Sequence, residues 1–176
     1  MSADRKYAKY IIEETIPGPV EARSENPKEH GGTNVLWINE ELQGALTGAT
    51  YLNVAIISKP FGFYEGHHQG HIHSFDEYVT FIGTNPEKPH ELNGLVEMWM
   101  EDEKYMLTKN TAVFCPRGVY HCPIVFHEVN SPILWIASAP TATYYPYPRD
   151  PVDPPPAGYG VVYDRHGQSS RKDSMT

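Results

Sequence analysis

This chain of 176 residues is short of several things, and each shortage excludes something. It has only two cysteines, Cys115 and Cys122, too few for the disulfide framework of a small secreted domain. A reducing, cytoplasmic home is the simplest expectation. No apolar run approaches the ~20 residues that cross a bilayer, so no membrane partner is expected. The opening stretch, MSADRKYAKYIIEE, is charged and lacks the apolar segment of a signal peptide. Positive charge is scarce: 14 Lys and Arg stand against 22 Asp and Glu, for a net charge of -8. A chain with that balance is not a general nucleic-acid binder. No internal repeat is visible, and no stretch carries a convincing central helix.

What the chain does have is proline, glycine and tyrosine, at 16, 14 and 12 residues. Proline breaks helix interiors and glycine weakens them, whereas turns between short strands tolerate both. The apolar patterning agrees. Residues 33–39 and 49–58 alternate and are rich in β-branched and aromatic side chains, as strands are. Residues 71–83 read as strand, turn, strand. Segments 95–100 and 104–108 form one hairpin, 111–116 and 121–129 another, and 132–139 is the last strand. Segment 84–94 reads as a turn-rich loop. About seven to nine short strands imply a sandwich or small barrel over 33–139. Residues 1–32 are then an N-terminal arm. Residues 140–176 form a tail with seven prolines between Pro140 and Pro156, interleaved with Tyr144, Tyr145 and Tyr147.

The chemistry concentrates in HHQGHIHSFDE, residues 67–77, which holds four of the nine histidines. On a strand, residues two apart face the same side, so His71 and His73 point together. Imidazoles about 6 to 7 Å apart can share one metal ion. Glu77, after a turn, can bring a carboxylate oxygen to the same ion, while Asp76 faces away. The segment PRGVYH offers a third imidazole, His121, after a tight turn at Pro116 and Gly118.

HIHSFDE and PRGVYH, in that order, resemble the two motifs of the cupin superfamily. From composition alone each would occur by chance only about 0.05 times in a chain this long. The resemblance covers residues 60–126 and, by strand pattern, about 33–139. Around the motifs the chain departs from the family pattern. Gly66 comes one residue late and Gly83 one early, Asn110 stands where the second motif has its first glycine, and Val125 replaces an asparagine. The resemblance implies an all-β fold, the cupin-type double-stranded β-helix, a small jelly-roll barrel with extended arms. It also implies that His71, His73, Glu77 and His121 are the ligands of a mononuclear metal centre.

Four protein ligands leave two positions of an octahedral ion open, and a nitrogen-and-carboxylate set suits Fe, Mn, Ni or Zn. Metal binding should fade as pH falls through the histidine range, because ligands must be deprotonated. The preferred function is an oxygenase-type enzyme acting on a small organic substrate. The alternatives are a non-oxidative lyase or isomerase using the ion as Lewis acid, or a non-catalytic ligand-binding cupin. Two residues are candidates for catalysis, His68 in the glycine-bearing loop and Tyr120 beside His121. His67 belongs to the same loop. Arg117 is read as a solvated turn residue, and His90, His127 and His166 as surface residues. Glu97 and Trp99 share one strand face, with Met98 and Met100 on the other as packing. Cys115 and Cys122 are read as reduced core thiols. A homodimer is expected, because a small jelly roll leaves sheet faces and edges to be covered.

Overall fold

The computed structural model describes residues 7, 10–12, 31–38, 49–62, 71–73, 75–141 and 160–161. Among them no α-helix forms, and eleven strands do. These are β1 (Gly32–Ile38), β2 (Tyr51–Ile57), β3 (Phe61–Gly62), β4 (Ile72–His73), β5 (Glu77–Gly83) and β6 (Glu91–Met100). They are followed by β7 (Glu103–Lys109), β8 (Thr111–Cys115), β9 (His121–Val129), β10 (Ile133–Ala139) and β11 (Gly160–Val161).

The strands build two main antiparallel sheets, ordered β1-β2-β10-β5-β8 and β3-β9-β6-β7. An isolated bridge between His71 and His121 lays the β4 segment alongside β9, as β3 is. β3 and β4 therefore act as one interrupted strand. Numbering the eight barrel strands from β2 to β10 in chain order, the sheets read 1-8-3-6 and 2-7-4-5. That interleaving is the double Greek key of a jelly roll. The fold is thus the double-stranded β-helix expected from the motifs.

Period-2 patterning explains which faces meet. In β2 and β10 the burial alternates strictly, with Ala55, Ile57, Ile133 and Trp135 inward. Val79 and Phe81 of β5 meet Val96 and Met98 of β6 and Ile124 and Phe126 of β9 across the sandwich. Phe81 and Phe126 pack edge to face at 5.9 Å. A fully buried Val, Leu or Phe contributes about 1.5–3 kcal/mol by leaving water, so this cluster carries much of the fold.

One segment differs from its expectation. The turn-rich loop of 84–94 ends early, because Glu91–Gly94 belong to β6 and Leu92 is fully buried. The cause is a bulge between Glu91 and Val96, where Asn93 sits at φ 52°. Asparagine and glycine are what such a bulge requires, so the composition imitates a loop. The preceding Gly83 lies against Glu91, whose carbonyl oxygen would be 2.1 Å from any added Cβ. β11, in the C-terminal segment, pairs with β4 through Gly160 opposite His73 and Val161 opposite Ile72. Most of the expected arms, including Tyr144, Tyr145, Tyr147 and His166, lie outside the described residues.

Candidate metal centre

Four side chains converge at one end of the barrel interior. His71 and His73 come from the β4 segment, Glu77 opens β5, and His121 opens β9. One ligand atom from each lies within 4.8 Å of all the others. His73, Glu77 and His121 are buried, and His71 is half-buried. The ring centroids of His71 and His73 are 5.5 Å apart, and those of His71 and His121 4.3 Å. Backbone pairing sets this spacing, since His71 and His121 exchange both N–H···O bonds at 2.9 and 3.0 Å.

The local backbone of β9 is irregular where it delivers His121. Its register against β6 slips between Met98 and Met100. Cys122 stands at φ 71°, a left-handed conformation that costs about 1–2 kcal/mol for a non-glycine residue. The result is that His121 and Cys122 are both buried, which regular alternation would forbid. Bulges beside sites commonly re-aim a side chain in this way.

The turn before His121 is tied to the opposite strands. Gly118, at φ 76°, donates its N–H to the carbonyl of His73 at 2.9 Å. Arg117 donates to Asp76 three times, from its backbone N–H at 3.0 Å and its guanidinium at 3.1 and 2.9 Å. These hydrogen bonds hold the Asp76 carboxyl down at about 2, well below the usual carboxylate range. Asp76, set aside as a ligand because it faces away, thus links the turn carrying His121 to the strand carrying Glu77.

The ring nitrogens decide what the cluster needs. His73 Nδ1 lies 2.7 Å from the Phe75 carbonyl, and His121 Nδ1 lies 2.9 Å from the Val119 carbonyl. A carbonyl only accepts, so each Nδ1 carries a hydrogen. The Nε2 atoms of both rings then face Glu77 Oε2, at 3.1 and 3.2 Å. Each imidazole meets an acceptor on both sides, whereas a neutral imidazole has one N–H. A cation must stand among the two Nε2 atoms and the carboxylate, either as protons or as one divalent ion. The spacing fits an ion. Ligands ~2.1 Å from a metal and at right angles are ~3.0 Å apart. His73, Glu77 and His121 therefore have the spacing of adjacent metal ligands, with His71 within 4.8 Å of each, and the Nδ1–carbonyl bonds are outer contacts of the kind that orient metal-ligating histidines.

Electrostatics agree. Burial opposes charge on Glu77, but hydrogen bonds from His121 and His73 outweigh it and hold the carboxyl below its ordinary value. Cys115 pairs with Glu77 across β5 and β8. Burial first, and then the Glu77 charge, push its thiol up to about 12, so it stays protonated. Cys115 and Cys122 are both buried, as core thiols.

Tyr120 stands next to His121 and donates its backbone N–H to the Glu101 carboxylate at 3.0 Å. His67 and His68 lie outside the described residues. His127 lies on the outer face of β9, the strand that His121 opens, where its Nε2 meets Glu97 at 2.8 Å. Glu97 and Trp99 do share a face, and the indole N–H donates to Glu97 at 2.6 Å. Phe75 escaped the sequence reading. It is 6% exposed and stacks on His73 with ring centroids 4.1 Å apart. Its place between His73 and Glu77, inside the first motif, was the available signal.

The chain matches no protein-family model and no curated protein sequence. It is similar to several solved structures. KdgF from a Halomonas species is 17% identical, with 62% of this chain and 82% of that chain covered and a TM-score of 0.38. The polyketide cyclase RemF from Streptomyces resistomycificus is 13% identical, with 62% and 65% covered and a TM-score of 0.39. An oxalate oxidase in complex with glycolate is 12% identical, with 72% and 59% covered and a TM-score of 0.44. At these distances no activity carries over.

Proposed function

We propose that the chain is a metal-dependent cupin of the oxygenase type, acting on a small organic substrate at one divalent ion. The observation that carries this reading is the pair of imidazoles with both nitrogens facing acceptors around Glu77 Oε2. His71, His73, Glu77 and His121 would hold the ion. When bound, such an ion supplies Lewis acidity and a template, and a redox-active one also passes electrons to dioxygen. The chain's own part is to orient and to exclude water. The Phe75 and Val119 carbonyls fix the tautomers of His73 and His121 before any ion arrives. The Phe75 ring shields one face of His73, and the Asp76–Arg117 clamp holds the two ligand-bearing segments in register. Four protein ligands leave coordination positions for substrate and co-substrate, which favours oxygenase chemistry over a closed structural site.

The test is metal analysis of the purified chain, followed by loading with Fe(II) and exposure to nitric oxide as a dioxygen surrogate. About one ion per chain and a high-spin iron–nitrosyl signal are expected. Absence of bound metal would overturn the reading. A bound ion that takes up no nitric oxide, with turnover of a substrate that persists without dioxygen, would replace it by the lyase or isomerase reading.

A further inference from the structure

The two sheets carry charge very unequally. The strands of the four-stranded sheet bear Glu91, Glu97, Glu103, Lys104, Lys109 and Glu128. The five strands of the other sheet bear a single charged side chain, Glu77, and it points into the barrel. Its outer face is therefore uncharged from edge to edge. Register places Val54 beside Ile136 and Ile56 beside Leu134 in the middle of that face. Tyr78 pairs with Phe114 at one corner, with ring centroids 5.2 Å apart. In the single chain Tyr78 is 51% exposed and Phe114 47%.

We infer that this face is the contact between two copies of the chain in a homodimer. Three arguments select a second copy. First, a chain of net charge -8 repels its own kind wherever charge is displayed, and among the described residues this is a broad surface where it displays none. Second, a twofold contact puts one patch on itself, and an uncharged patch meets no opposing like charge there. Third, the size is suitable. Five strands ~4.8 Å apart and five residues of ~3.4 Å give roughly 400 Å² of flat sheet per copy. Two copies bury about 800 Å² before side-chain relief is counted, near the ~1,000 Å² of a specific interface. The first thirty residues are a poorer match: they carry 11 Asp, Glu, Lys and Arg, and covering this face with them would desolvate charge without a partner. The inference does not rest on the metal reading. The two do touch, because Tyr78 and Phe114 lie directly behind the Glu77–Cys115 pair.

Sedimentation equilibrium of the full chain tests it. The wild type should be a dimer at micromolar concentration. Tyr78→Lys and Phe114→Lys each put an unpaired charge into the uncharged patch and should each weaken self-association by about 30-fold or more. Their far-UV circular dichroism should be unchanged. Met106→Lys, at a site 47% exposed on the charged sheet, should leave the dimer intact. If a lysine variant fails to fold, Tyr78→Thr and Phe114→Thr, which keep a strand-forming side chain, should still weaken the dimer. A monomeric wild type, a dimer that survives both face substitutions, or a dimer broken equally by Met106→Lys would each overturn the inference.

Discussion

Replacing Glu77 by glutamine should remove at least about three-quarters of the effect of metal on stability while leaving the metal-free protein no less stable. Without metal, His73 and His121 each face an acceptor at both ring nitrogens. A glutamine amide can donate to one Nε2 and so satisfies part of the cluster with no cation. A buried acceptor without a donor costs about 1–3 kcal/mol, and the metal-free variant should match or exceed the metal-free wild type by up to that amount. The metal-bound comparison runs the other way. An ion at about 1,000 times its Kd stabilises the folded state by ~4.1 kcal/mol. A chain of this length gains about 2–4 °C in Tm per kcal/mol, so metal should raise the wild-type Tm by ~8–16 °C. The variant lacks the carboxylate and should gain less than about a quarter of that. Differential scanning calorimetry on chelator-treated protein, with and without added Zn(II) or Mn(II), reads both differences. Neutral pH is the right condition. Glu77 is held below its ordinary value by the hydrogen bonds of His121 and His73, so it is ionised there, as a metal ligand must be. Equal metal-induced shifts in the two proteins would refute the assignment, and so would a metal-free variant that melts far below the metal-free wild type.

His121→Ala should lose the bound ion, whereas His127→Ala, on the outer face with Glu97, should keep it; metal content per chain decides. Asp76 should titrate in the folded protein with a midpoint of about 2, and Arg117→Ala should return it towards the ordinary 3.8, as read by carboxyl NMR. Because the folded value is the lower one, the clamp's contribution is whole above about pH 4 and is lost as pH falls through about 2. Leu92→Ala should cost about 2–5 kcal/mol in urea unfolding, because the side chain is fully buried in the core. A loss below about 1 kcal/mol would return Glu91–Gly94 to the loop that composition suggests.

The proposed ligands were legible because their spacing coincides with strand geometry. His71 and His73 are two apart on one strand, and Glu77 and His121 each open the next element after a turn. Their supports were not legible, because most of them are backbone. The carbonyls of Phe75 and Val119 have no signature in a sequence. Asp76 and Arg117 are 41 positions apart, and nothing in either neighbourhood announces the other. Leu92 was hidden for another reason. The bulge that buries it needs asparagine and glycine, the residues that also mark loops.

The charge contrast between the sheets was hidden by topology rather than by composition. Apart from the β6–β7 hairpin, this jelly roll deals the strands from β2 to β10 alternately to its two sheets. Read along the chain, the charged β6 and β7 follow the uncharged outer face of β5, and the charged tail of β9 precedes β10. A linear scan therefore averages the faces into an ordinary mixed surface. Only the order β2-β10-β5-β8 gathers the uncharged residues onto one plane. The same dealing puts Glu77 and Tyr78 back to back on β5, one facing the imidazoles and the other facing out. A substitution at Tyr78 thus acts on the strand that fixes the only carboxylate of the metal cluster. Metal content of Tyr78→Lys, measured beside its self-association, should show whether loosening the outer face loosens the centre behind it.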